Sequence, residues 1–207
     1  MTSHAIRTLI VDDHPAVRNG LFAALRAEPG IMPVATASGV VAAIGQAKRS
    51  RTDVALVDRH LDDGDGLALC HELELMPSAP AVLIYSASAG PELRLAASVA
   101  GAAGLVGKGA PLGDLFDAIR TVAGGGKALP PLRPRAVERL VTRLDSDDLP
   151  ILGLRLDGVP LPEIASVLHL SEREVSRRVI GMLGRLTAWP GSTRYMDEER
   201  AMGSIPD

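Results

Sequence analysis

Apolar residues in the first 124 positions fall into two patterns, short unbroken blocks and longer stretches in which they recur every three or four residues. The blocks Thr8 to Val11, Met32 to Ala35, Val54 to Val57, Ala81 to Tyr85 and Gly104 to Val106 predict strands buried on both faces. Pro15 to Ala27, Ser38 to Lys48, Gly66 to Leu75, Pro91 to Ala100 and Leu112 to Ala123 carry the helical period. Strict alternation of the two predicts an α/β domain over residues 1–124, a doubly wound five-stranded parallel sheet with helices on both faces.

Gly124, Gly125 and Gly126 stop the last of these helices, and Pro130, Pro131 and Pro134 follow closely. Residues 125–134 therefore read as a semi-rigid linker. Beyond it, Ser146 to Leu156, Pro162 to Leu168 and Ser171 to Leu186 have helical spacing and no strand signal, so a second, all-α domain is expected over residues 135–186. Asp145 or Ser146 can cap its first helix, Gly158 closes that helix, and Ser171 with Glu174 forms a capping-box pattern at the start of the third. Ile164, Ala165, Leu168, Leu170, Val175, Val179, Met182 and Leu183 make the inward stripe. Glu172, Arg173, Ser176, Arg177, Ile180 and Gly184 are left toward solvent. Residues 187–207 form a polar tail, with a short helical turn expected around Arg194 to Met202.

Composition narrows the choices. Hydrophobic residues make up 46% of the 207 but aromatics only 2%, so the cores are aliphatic and a stacking platform for single-stranded nucleic acid is excluded. Cys70 is the single cysteine, which removes internal disulfides and zinc sites needing two thiolates. The opening MTSHAIRTLIVDD lacks the parts of a signal peptide, and no apolar run reaches about 18 residues, so a cytoplasmic protein without membrane contact is expected. The net charge of −3 is unevenly spread: 11 basic against 13 acidic residues over 1–132, 9 against 8 over 133–186, and 2 against 4 over 187–207. Only the middle segment can face phosphates, by local placement of its arginines.

The chemistry-bearing residues sit where strands end. Asp12 and Asp13 follow the first strand, Asp58 the third, Ser86 the fourth, and Lys108 lies just past the fifth. In a doubly wound sheet these ends converge on one crevice. Three carboxylates gathered there repel one another unless a cation offsets them, and a hard divalent ion such as Mg²⁺ suits one or two carboxylates plus waters. One carboxylate can then attack a phosphoryl group whose oxygens are held by the metal, the ammonium and the hydroxyl. Any one of these residues could simply cap the following helix. Five on four strands form a more demanding pattern.

That pattern resembles the receiver domain of two-component signalling proteins, over roughly residues 5 to 124. LIVDDHP matches its acidic pair at Asp12 and Asp13, VALVDRHLDDGDG its phosphoacceptor strand at Asp58, LIYSAS its hydroxyl position at Ser86, and GLVGK its lysine at Lys108. The resemblance implies phosphorylation of Asp58 by a sensor histidine kinase, with Mg²⁺ held by Asp12, Asp13, Asp58 and the His60 backbone carbonyl. It also implies that Ser86 and Lys108 serve as catalytic and switch residues. Asp62 stands where the family often has a loop proline, and Leu105 where it commonly has an aromatic. His14 and His60 flank the pocket.

The helical segment resembles the LuxR/FixJ (NarL) type of helix-turn-helix output domain. Its pattern runs through Leu144 to Leu152, Gly158 to Ala165 and LSEREV at Leu170 to Val175. The resemblance implies a transcriptional response regulator rather than an enzyme, which binds double-stranded DNA through Arg173, Ser176, Arg177 and Arg178 and forms a homodimer on activation. Ser176 and Arg178 replace the usual lysine and histidine, and WPGSTRYMDEER replaces the last, dimerising helix. Two other readings remain open: a regulator that binds DNA without a phosphorylation switch, and a protein-interaction module with a degenerate helix-turn-helix.

Overall fold

The computed structural model describes residues 5–187, and the helical turn expected around Arg194 to Met202 lies outside them. Five parallel strands form the sheet: β1 (Ile6–Val11), β2 (Ile31–Ala37), β3 (Val54–Asp58), β6 (Ala81–Ser86) and β7 (Gly104–Gly107), in the order β2-β1-β3-β6-β7. Each extends the sequence-predicted strand by one to three residues, within the usual uncertainty of element ends. Helices α1 (Pro15–Ala27), α2 (Val40–Arg49), α3 (Gly66–Glu74) and α4 (Pro91–Ala100) connect them, and α5 (Leu112–Ala123) follows β7. Strand side chains alternate between faces. Ile10, Leu56, Leu83, Tyr85 and Val106 pack with α1 and α5, while Leu9, Val11, Ala55, Val57, Ile84 and Leu105 pack with α2, α3 and α4.

Two features were not legible as elements. The loop after β3 folds into a small antiparallel hairpin, β4 (His60–Leu61) with β5 (Gly64–Asp65). Asp63 fastens this hairpin to the sheet layer by accepting from the first amides of α2, Val40 N at 2.8 Å and Val41 N at 3.4 Å. The segment read as a linker is also not free along its length. Ala128 bridges to Gly104 at the outer edge of β7, accepting from Leu105 N at 3.1 Å and donating to Ala103 O at 2.8 Å.

The second correction concerns Pro134. It opens an additional helix, α6 (Pro134–Val141), because proline at a first helical position loses no hydrogen bond. Ala136 and Leu140, four apart, bury its inner side. A 3-10 turn (Ser146–Asp148) then leads into α7 (Leu149–Leu156), followed by α8 (Leu161–Val167) and α9 (Glu172–Thr187). Neither Asp145 nor Ser146 caps through its side chain as expected; Asp148 is instead buried and paired with arginines.

The helical group does not stand apart from the sheet layer. α4 packs on α9 more extensively than any other pair of helices does, and Leu95, Ala96, Ala97, Val99 and Ala100 of α4 are all buried. The short alanine side chains allow the close approach. One continuous apolar cluster runs from Val57 and Ile84 through α4 to Ile151, Ile164, Val179 and Met182.

Candidate functional site

The strand order reverses between β1 and β3, and a crevice opens there at the carboxyl ends. Asp12 follows β1 and Asp58 ends β3; they are 1% and 5% exposed. Lys108, one residue past β7, donates from Nζ to Asp58 Oδ2 at 2.7 Å and to Asp12 Oδ2 at 3.1 Å. Its own backbone amide is held by Ser86 O at 2.8 Å, which sets the end of β6 beside the end of β7. The fold thus brings Asp12, Asp58 and Lys108 into direct contact and seats buried Ser86 on the neighbouring strand end.

The electrostatics of the crevice are those of a buried acidic cluster with one fixed cation. Burial pushes the Asp58 carboxyl above its usual range, and the charge on Asp12 pushes the same way, against the pull of Lys108 and the His60 amide. Burial alone would lower the Lys108 pKa, but its bond to Asp58 and the charges of Asp58 and Asp12 outweigh this and hold the ammonium above its ordinary value. One ammonium does not neutralise three carboxylates. Ligand atoms of Asp12, Asp13, His14 and Asp58 lie within 4.8 Å of one another, and this oxygen-rich donor set fits a hard divalent cation.

Several supports were not visible in the sequence. Arg18 of α1 donates to the backbone carbonyl of Asp12 at 2.6 Å, and the His14 amide donates to Asp12 Oδ1 at 2.8 Å. His14 Nδ1 lies 2.6 Å from Asp13 Oδ1, so the ring that merely flanked the pocket in sequence pairs with one of its acids. The His60 amide faces Asp58 Oδ1 at 3.5 Å. Gly66 closes the loop, and a Cβ there would run into the Asp58 carbonyl oxygen. Gly66→Ala is therefore expected to displace the acceptor loop and to cost roughly 1–3 kcal/mol of stability, read by denaturant unfolding.

The arginine-bearing helix α9 follows expectation in part. Ser171 Oγ accepts from Glu174 N at 3.2 Å, which is half of the capping box. The other half is absent, because the Glu174 carboxylate turns to Arg177 (2.6 and 3.0 Å) and Arg178 (2.9 Å). Those hydrogen bonds pull the Glu174 pKa down to about 2. Arg178 also donates to Asp147 O at 3.1 Å, and Arg185 pairs with Asp148. Arg173 and Arg177 are exposed. Ser176, expected toward solvent, instead turns to the sheet layer, its Oγ 2.6 Å from His71 Nε2 on α3.

Comparison with known proteins decides the family: a response regulator receiver domain is matched over residues 8–120. The chain belongs to the response regulators. The transcriptional activator DevR/DosR of Mycobacterium tuberculosis is 32% identical over 195 residues, covering 87% of this chain and 88% of that protein. The nitrate/nitrite response regulator NarP of Escherichia coli is 31% identical over 189 residues, with 87% and 88% covered. RcsB from Salmonella enterica serovar Typhimurium, solved on promoter DNA with a phosphomimetic, shares the fold at a TM-score of 0.58 and 22% identity, over 88% of this chain and 98% of that one. This response regulator is of the LuxR/NarL type, with a flavodoxin-like receiver and a helical C-terminal region. No helix among the described residues is long and apolar enough to cross a membrane.

Proposed function

We propose that the chain is a DNA-binding transcriptional regulator switched by phosphorylation of Asp58, and that residues 1–124 and 135–186 are its receiver and DNA-binding domains. The observation that carries this reading is the contact of Lys108 Nζ with both Asp58 and Asp12 in a buried crevice that still carries excess negative charge. Asp12, Asp13, Asp58 and the His60 carbonyl would hold Mg²⁺, which supplies charge neutralisation of the carboxylates and of the incoming phosphoryl oxygens.

The chain's own residues do the rest. Asp58 is the nucleophile, and Lys108 keeps its proton and pairs with phosphoryl oxygen as the leaving group departs. Ser86 offers a hydroxyl donor to the same oxygens. The phosphoryl group adds about −1.5 to −2 charges at a site walled by the ends of β6 and β7, and α4 is the helix between those strands. A shift of α4 is transmitted to α9, which it packs against, and so frees or pairs the DNA-binding helices. The donor is a sensor histidine kinase, and receiver pairing would place two helical domains on neighbouring half-sites. The regulator's role in the cell is in the cytoplasm, and it turns over no substrate of its own.

On α9, exposed Arg173 and Arg177 and half-buried Arg178 are the base and phosphate contacts, while Ser176 becomes available only when α9 leaves the receiver. The test is selection from a random duplex pool with and without Mg²⁺ and beryllofluoride. Enrichment of one sequence family, greater with the phosphoryl mimic, is expected. Replacing Arg177 and Arg178 together by alanine should weaken binding and reduce the salt slope by about one per lost phosphate contact. Recovery indistinguishable from the input pool, or a double variant with unchanged salt slope, removes the DNA role.

A further inference from the structure

His71 has no place in phosphoryl chemistry, yet it is 1% exposed, and a histidine is rarely buried so fully without two hydrogen-bond partners. It lies on α3, on the outer side of the receiver where the C-terminal helices dock. Its Nε2 meets Ser176 Oγ of α9 at 2.6 Å, a contact between residues 105 positions apart. Its Nδ1 is buried with no hydrogen-bond partner. We propose that His71 is a proton-operated latch between the receiver and the recognition helix: the neutral ring holds α9 through Ser176, and a ring protonated on both nitrogens releases it.

The reason lies in what each protonation state demands. A neutral ring can donate from Nε2 to Ser176 Oγ and leave Nδ1 as a bare lone pair, which is the least expensive way to bury an unmatched ring nitrogen. A second proton turns Nδ1 into a charged N–H donor with no acceptor in reach, and burying such a group opposes the closed packing. The charges that act on the ring are Glu74, on its own helix, and Arg155, from α7; α9 faces it with the Ser176 hydroxyl. Arg155 donates to both Glu74 oxygens, at 2.8 and 2.7 Å, so the acid that could stabilise an imidazolium is already engaged. Burial accordingly holds the His71 pKa below its ordinary value, with Glu74 and Arg155 pulling in opposite directions.

Once α9 departs, the ring meets water and regains an ordinary pKa of about 6.5. The open chain then binds more protons than the closed chain below that pH. Closure is fully favoured above about pH 6.5 and weakens by up to about tenfold per pH unit below it, until the lower pKa of the closed state is reached. Acid would act on the same docking equilibrium as phosphorylation, through the contact of α3 with α9 rather than that of α4 with α9. The consequence for DNA rests on the function proposed above, whereas the latch itself concerns only how the two parts pack.

The experiment reads that packing directly in the full chain without DNA or phosphodonor. Donor and acceptor dyes are placed on Arg26→Cys and Asp157→Cys, both exposed positions; Cys70 is fully buried and stays unlabelled. The open fraction is expected to rise by up to about tenfold per pH unit between pH 6.5 and 5.5, and to stay flat in His71→Gln, which keeps a group at the Nε2 position but does not titrate. An equal pH slope in both chains, or no slope in either, overturns the proposal. A second measurement needs no substitution. In NMR titration of the unaltered protein the His71 ring should titrate below the ordinary histidine value of about 6.5, and titration at or above that value also overturns it. Loss of DNA selection with the pH slope intact would count against the DNA role alone.

Discussion

Asp58→Asn is expected to reduce phosphate incorporation from a small phosphodonor with Mg²⁺ to background, a loss of at least about 100-fold. An amide is a far weaker nucleophile than a carboxylate, and it also removes one of the three acids that make the crevice attractive to a cation. Asp12 and Asp13 remain nearby, but Asp12 is already tied to Lys108 and to the His14 amide, and Asp13 to the His14 ring. Neither is presented at a strand end with Lys108 at 2.7 Å, as Asp58 is. Stability should move the other way. Burial holds the Asp58 carboxyl above its usual range, so keeping it ionised at neutral pH opposes folding, and that opposition vanishes as pH falls below the raised pKa. The amide carries no such charge, and Asp58→Asn should unfold at the same temperature as the parent or higher. Undiminished labelling of the variant, located by peptide mapping, would move the acceptor elsewhere in the crevice.

The sheet and its crevice were legible because both depend on local pattern. Apolar blocks such as Val54 to Val57 are too short and too β-branched for helices, and their chain order alone places Asp12, Asp58, Ser86 and Lys108 at one edge. What remained hidden depends on pairing across distance or on a residue with two uses. Pro134 reads as a breaker after Pro130 and Pro131, yet it also suits a first helical position, and only the burial of Ala136 and Leu140 against neighbouring helices decides between them. The Ala128 bridge to Gly104 has no sequence signature, since any residue with a free amide and carbonyl can extend an edge. The sequence pattern leaves Ser176 toward solvent because the inward stripe of α9, Val175, Val179, Met182 and Leu183, is complete without it. The helix has a second partner, α4 with α3, and a helix buried on two sides keeps fewer exposed positions than its own moment suggests. Nothing in the local pattern marks His71 or Arg155 for burial, for the same reason: each is buried by the packing of one part of the chain on another.

Arg155 supplies the largest expected effect on that packing. Its guanidinium leaves α7, donates to Val99 O of α4 at 3.0 Å and forms a two-pronged pair with Glu74 of α3; the Arg155 side chain is 3% exposed and that of Glu74 26%. Removing one partner of such a pair leaves the other charge desolvated and uncompensated, a loss of about 3 kcal/mol, discounted here because Glu74 is partly wetted. Glu74→Gln should therefore destabilise the docked arrangement by roughly 2–3 kcal/mol, about a 30- to 150-fold shift toward separated parts, while the receiver core of Leu9, Val57 and Ile84 is untouched. Replacing both partners by leucine should restore much of the docking, because two apolar side chains carry no desolvation penalty. Gly101 gives an independent check on the geometry. It has φ 87°, and a Cβ there would collide with the Arg155 guanidinium and the Glu74 carboxylate together. Gly101→Ala should thus loosen the docking as Glu74→Gln does. The measurement is scattering of the full chain in solution, where an increased radius of gyration with native circular dichroism marks undocking. A Glu74→Gln chain as compact as the parent would show that the apolar contact of α4 with α9 holds the two parts together without the ion pair.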